Sequence, residues 1–274
     1  MAHPPRLNGA GMPRLVASDL DGTLLRSDGT VSERTRAAWR ALDEHDIESV
    51  IVTARPPRWL HDLEDVVGPR GIAVCGNGAF IYRVATREVI AAHCFDPDTL
   101  AGLVGDVRAA VAGVMFAAEG PDGPVLERGF PDPRGEAAGS RRAQVASLAE
   151  APVGKLLAIA PTTDPATFFD VVTEVIGARG VLAYSGAHGL AEINPPGVSK
   201  DRALADYCAD LGIAAAAVWA FGDMPNDVTM LRWAGRGFAV ANAHPTVLAI
   251  ADEVCRGNDD DGVAHVLERL FGPV

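Results

Sequence analysis

Apolar runs of strand length alternate with helical periodicity near both ends of the chain, and this predicts an α/β fold with a parallel sheet. Leu15–Ser18 is expected as the first strand, ending at Asp19. Ser32 is placed to N-cap a helix reaching about residue 45. Glu48–Val52 and Ile72–Cys75 read as the next strands, ending at Thr53 and at Gly76-Asn77-Gly78. The pattern resumes late in the chain. Leu204, Tyr207, Cys208 and Leu211 fall at i, i+3, i+4 and i+7 of one helix. Residues 218–221 form a short apolar strand before Gly222-Asp223, and Val263, Val266, Leu267 and Leu270 mark a closing helix.

The middle reads as a smaller α+β unit. Residues 79–83 and 88–92 suggest a hairpin, 97–111 a helix and 113–118 a strand. Residues 119–140 are rich in Gly, Pro and charge and are expected to be mostly turn and loop. A strand over 155–160, a helix over 165–178 and a strand over 181–185 complete the unit. The expected organisation is a discontinuous Rossmann-like α/β core, 12–83 and 190–274, with an inserted α+β cap at 84–189. Residues 1–11 are expected to be a flexible extension.

Composition supports this picture. The chain has 274 residues and is 48% hydrophobic and 22% charged, as a folded globular protein should be. A net charge of −12 argues against nucleic acid or anionic lipid as partner. It leaves an anionic substrate open, because one metal ion and one lysine can set the local field. Cys75, Cys94, Cys208 and Cys255 form no CxxC pair and read as reduced thiols. No apolar run approaches the ~20 residues of a membrane span, and the first dozen residues lack a signal-peptide stretch. A cytoplasmic protein, monomeric or a small homo-oligomer, is expected.

Two acidic clusters carry the candidate chemistry. In Asp19-Leu20-Asp21-Gly22-Thr23, two carboxylates follow an apolar strand and precede a glycine turn. Open α/β sheets bind ligands at the carboxyl ends of their strands. There a carboxylate can attack phosphorus while a second acid moves protons; the alternative is an Asx turn. In Gly222-Asp223-Met224-Pro225-Asn226-Asp227, two more carboxylates follow a strand. They suit a hard cation such as Mg²⁺, and read equally as a turn residue and a helix N-cap. Thr53, with Ala54-Arg55 after it, offers a hydroxyl and N–H groups to a phosphoryl oxygen, and Arg55 can reach the same group. Lys200 starts a helix, where its charge opposes the dipole. It is either a solvated surface lysine or a counterion to Asp19 and a phosphoryl group.

In order and placement these four pieces resemble the motifs of the haloacid dehalogenase superfamily, most closely its Cof-like branch. Gly76-Asn77-Gly78-Ala79, Glu192-Ile193-Asn194-Pro195, Ala241-Asn242-Ala243 and the stretch 258–263 add to the resemblance. It implies a Mg²⁺-dependent phosphatase of small phosphorylated metabolites, such as sugar phosphates, acting through an aspartyl-phosphate. Asp19 is similar to the nucleophile, Asp21 to the general acid/base, Thr53 to the phosphoryl-binding hydroxyl and Lys200 to the neutralising lysine. Asp19, Asp21 through its carbonyl, Asp223 and Asp227 resemble the metal site, with Asp227 acting directly or through water. Arg55, Asn77, Gly78 and Asn226 are expected to contact substrate. The motif departs from the family at Ala54, where glycine is usual. Rival readings are a phosphomutase and a non-catalytic binding protein; the latter predicts loss of an essential carboxylate, and Asp19, Asp21 and Asp223 are all present. His188 and Glu192 read as substrate contacts or as a hinge. Trp39, Trp59, Trp219 and Trp233 are expected to be packing residues.

Overall fold

A computed structural model of the chain describes residues 11–68, 70–131, 141–143, 151–183 and 189–271. The expected extension before residue 11 and the site candidate His188 lie outside the described residues. Among these residues the strands form two sheets. The larger has eight strands in the order β14-β13-β12-β1-β2-β3-β4-β5. They are β1 (Leu15–Ser18), β2 (Glu48–Val52), β3 (Ile72–Cys75), β4 (Phe80–Arg83), β5 (Glu88–Ala92), β12 (Val218–Gly222), β13 (Arg236–Val240) and β14 (Glu253–Cys255). From β14 to β3 neighbours run parallel, whereas β3, β4 and β5 pair antiparallel.

The central strands are short apolar runs because helices cover both of their faces. On one side Val16, Ile51, Trp219 and Phe221 pack with α1 (Glu33–Glu44), α2 (Glu64–Val67) and α8 (Gly262–Phe271). On the other, Leu15, Ala17, Val50 and Ala220 pack with α5 (Lys200–Asp210), α6 (Val228–Trp233) and α7 (Pro245–Leu248). Ser32 caps α1 as its sequence predicts, accepting the N–H of Thr35 at 3.0 Å. Such a cap contributes about 1 kcal/mol. The four cysteines are free.

The smaller sheet has the order β10-β11-β9-β6-β7-β8. Its strands are β6 (Met115–Gly120), β7 (Gly123–Leu126), β8 (Arg141–Arg142), β9 (Lys155–Ile159), β10 (Val181–Ala183) and β11 (Leu190–Asn194). Helices α3 (Pro97–Ala110) and α4 (Pro165–Ile176) cover one of its faces. Sheet membership departs from the expected boundaries by one strand at each end. β5 belongs to the larger sheet, because four residues between it and β4 close a hairpin onto β3. β11 belongs to the smaller one, pairing antiparallel with β9 and β10. β7 also falls where loop was expected. Gly123, at φ +113, closes a tight turn that returns the chain along β6, a local geometry that the Gly- and Pro-rich composition conceals. No helix among the described residues is long and apolar enough to cross a membrane.

Candidate active site

The parallel register brings the carboxyl ends of β1, β2 and β12 side by side, so Asp19, Thr53 and Asp223 emerge at one edge of the sheet. Lys200 reaches this edge from the first turn of α5. Its Nζ donates to Asp19 Oδ1 at 2.5 Å and to Asp227 Oδ1 at 2.6 Å. The lysine side chain is 1% exposed, so the solvated alternative falls. Asp227 Oδ2 accepts the N–H groups of Asp223 (3.1 Å) and Met224 (3.0 Å). Asp223 Oδ1 accepts the Thr23 hydroxyl at 3.0 Å. Gly22 makes this approach possible: its φ is +82°, and a Cβ there would stand 2.4 Å from Asp223 Oδ2.

Burial and charge act against each other here. Burial pushes the Asp19 carboxyl well above the usual range; Lys200 opposes this, and Asp227 and Asp223 reinforce it. Burial alone would lower Lys200, but Asp19 and Asp227 outweigh it and hold the ammonium above its ordinary range. Asp223 is raised to about 6, first by burial and then by Asp227. Three buried carboxylates thus face one lysine, an excess of negative charge that a cation would relieve. Asp19, Asp223 and Asp227 each offer an oxygen within 4.8 Å of the others, an all-oxygen set that fits Mg²⁺. Both oxygens of Asp227 already accept hydrogen bonds, so Asp19 and Asp223 are the better placed to ligate directly.

A cavity of about 540 Å³ opens between this edge and the smaller sheet, lined by Asp19, Asp21, Thr53, Arg55 and Asn226 among others. Thr53 is buried and its hydroxyl accepts the Arg55 N–H at 3.1 Å. Arg55 holds both oxygens of the exposed Asp21 carboxylate, at 2.8 and 2.5 Å. Asn77 and Gly78, expected as substrate contacts, lie behind the lining. Asn77 donates to Glu192 at 3.1 Å and accepts from Asn226 at 3.0 Å. Gly78 packs so tightly on the segment before Lys200 that a Cβ would meet Ser199 O at 2.4 Å.

Among the lining residues that had no place in the sequence-derived site are Arg58, Trp59, Glu119 and Lys155. Arg58 and Trp59 follow β2; Glu119 and Lys155 come from the smaller sheet. Arg58 pairs with Glu119 at 2.6 Å, and Lys155 donates to Ala54 O at 2.9 Å and pairs with Glu192. Trp59, expected to be a packing residue, lines the cavity. A basic and an aromatic residue side by side just after Thr53 was the available signal; the acidic partner lies 61 residues on.

The family model described as haloacid dehalogenase-like hydrolase matches residues 16–267. YxeH of Bacillus subtilis (strain 168) is 30% identical over 276 residues, covering 94% of this chain and 98% of that protein. The HMP-PP phosphatase of Shigella flexneri is 30% identical over 250 residues, covering 87% and 88%. Among solved structures, a haloacid dehalogenase-like hydrolase from Bacteroides thetaiotaomicron superposes with a TM-score of 0.78 at 26% identity, covering 94% of this chain and 100% of that one. With the acidic edge, the buried lysine and a match spanning nearly the whole chain, the protein belongs to the haloacid dehalogenase-like hydrolase family.

Proposed function

We propose that this hydrolase is a Mg²⁺-dependent phosphatase of small phosphate monoesters that works through an aspartyl-phosphate on Asp19. The observation that carries the reading is the Asp19 carboxylate itself. It ends the central strand, is held by Lys200 at 2.5 Å, and fronts a cavity of metabolite size. The phosphatase named among the relatives supports the same class of reaction.

Asp19 attacks phosphorus, and the ester oxygen leaves with a proton from Asp21. Asp21 then takes a proton from water, which attacks the phosphorus of the aspartyl-phosphate, releasing phosphate and restoring Asp19. The Thr53 hydroxyl and neighbouring N–H groups hold phosphoryl oxygens. Lys200 neutralises the charge that gathers between Asp19 and the phosphoryl group, and Asp227 orients the lysine. Arg55 keeps Asp21 at the cavity mouth. Mg²⁺, held by Asp19 and Asp223 with the carbonyl of Asp21, supplies charge neutralisation for the phosphoryl oxygens when bound.

Hydrolysis in ¹⁸O-labelled water tests the reading. The released phosphate should carry one labelled oxygen, because water attacks phosphorus in the second step. Label in the alcohol product, or isomerised substrate outpacing free phosphate, would overturn it.

A further inference from the structure

A buried polar chain runs from the smaller sheet to the acidic edge. Lys155 on β9 pairs with Glu192 on the neighbouring β11, and both side chains are buried. Lys155 also donates to the carbonyl of Ala54, the residue between Thr53 and Arg55. Glu192 accepts Nδ2 of Asn77 at 3.1 Å, and Asn77 Oδ1 in turn accepts Nδ2 of Asn226 at 3.0 Å. Asn226 directly precedes Asp227, the carboxylate that holds Lys200.

Asn77 is the link whose identity needs a reason. Its φ is +60°, in the left-handed region that glycine occupies freely and asparagine tolerates. The turn is fixed by its backbone: the Asn77 N–H donates to Thr53 O at 3.0 Å, and the Gly76 N–H to Arg55 O at 2.9 Å. A glycine at position 77 would complete the same turn, so what the asparagine adds is its amide. Stability does not explain the ion pair either, because two apolar side chains of similar volume would fill a buried site as well. Hydrogen-bond direction explains both. A carboxylate only accepts, so Glu192 draws Nδ2 of Asn77 toward itself. Oδ1 of Asn77 is left for Asn226, which must then turn its own Nδ2 inward. Lys155 is the counter-charge that a buried carboxylate needs.

Resting on the phosphatase reading of the site, we propose that Glu192 and Asn77 are positioning residues for phosphoryl transfer, which orient the amide of Asn226 and thereby hold the loop carrying Asp223 and Asp227 in register with Asp19 and Thr53. They act through Asn226 and not on the alcohol that leaves, so their contribution is the same for every ester.

The test uses the full chain with Mg²⁺ and two esters of very different bulk, methyl phosphate and glucose 6-phosphate. Asn77→Gly removes the amide and keeps the turn. It should melt close to the wild type by circular dichroism, yet lower kcat by about tenfold or more for both esters, with KM changed by about twofold or less. Glu192→Gln offers Lys155 and Asn77, two donors, a single amide oxygen, and should lower kcat likewise. Adding Asn77→Asp to Glu192→Gln restores the direction, since the carboxylate at position 77 then accepts from both neighbouring amides. This double variant should regain kcat by about threefold or more over Glu192→Gln. In ¹⁵N-labelled, metal-free protein, the side-chain amide signals of Asn226, identified by their loss in Asn226→Asp, should move in both single variants. Wild-type kcat in folded Asn77→Gly, a loss confined to KM or to one ester, unmoved Asn226 signals, or a folded double variant without recovery would each overturn the proposal. Should the double variant not fold, Asn77→Gly and the Asn226 signals decide alone. If the wild type hydrolyses neither ester, the phosphatase reading falls, and the Asn226 signals still decide whether Glu192 and Asn77 orient that amide.

Discussion

Strands β1, β2 and β12 are buried on both faces by helices, whereas β6, β9 and β11 are covered by helices on one face only. In the larger sheet, chemistry is therefore displaced to the strand ends, where Asp19, Thr53 and Asp223 emerge. In the smaller sheet the open face itself borders the cavity, and alternate side chains along the strands form that wall. The first arrangement fixes groups through backbone register, which tolerates little change. The second fixes them through side chains that can be exchanged while the ladder stays intact.

Substitutions at the acidic edge should strike every substrate equally. Asp19→Asn is expected to lower turnover by about 10⁴-fold or more, whichever ester is used. Because burial disfavours the ionised Asp19, the metal-free variant should melt no lower than the wild type by circular dichroism. A folded variant with wild-type phosphate release would break the assignment. Lys200→Met should lower turnover by about 10²- to 10³-fold. Unlike Asp19→Asn, it leaves Asp19 and Asp227 buried without their counterion, at a cost of about 3–5 kcal/mol. Urea unfolding at pH 7.5 separates the two variants, and equal midpoints would contradict the role given to Lys200.

The metal dependence carries a sign. The folded-state pKa of Asp223 is raised to about 6, so its stabilising contribution is present at low pH and lost as pH rises through that value. Mg²⁺ would displace the proton and relieve the repulsion. Magnesium should therefore raise the melting temperature more at pH 7.5 than at pH 5, where protons compete for the same oxygens. Equal shifts at both pH values would argue against Asp223 as a ligand. The smallest effect on stability belongs to the open face. Leu157→Asn should shift unfolding by about 1 kcal/mol or less, because its side chain is only half-buried; a loss comparable to that of Lys200→Met would mean that Leu157 is core.

How much the sequence reveals follows the same division. β1, β2 and β3 carry their expected bounds because strands buried on both faces are continuous apolar runs. The acidic pairs Asp19-Asp21 and Asp223-Asp227 stand out because charge directly follows such runs. Lys200 is different. Its burial results from Asp19, 181 residues away, and Asp227, 27 residues away, converging on one ammonium, and no local pattern encodes that meeting. The cavity wall is half-legible. Lys155–Ile159 reads as an apolar strand, but periodicity cannot say that one face meets helices and the other a cavity. Glu119 becomes recognisable as the partner of Arg58 only once the two sheets face each other.

β1 lies in the middle of the larger sheet, yet one of its neighbours comes from far along the chain: Leu15 pairs with Val218. Synthesis proceeds from the N-terminus, so β1 and β2 emerge with one edge bare. That edge stays bare while every strand of the smaller sheet is made, since β6 to β11 all precede β12. Pairings so distant in sequence form slowly, and an unpaired apolar edge invites association with other chains. Chains halted before Val218 are expected to aggregate through β1, a behaviour that light scattering of such truncations would reveal. The strands of the smaller sheet, made between β2 and β12, thus prolong the interval in which the central strand lacks a partner.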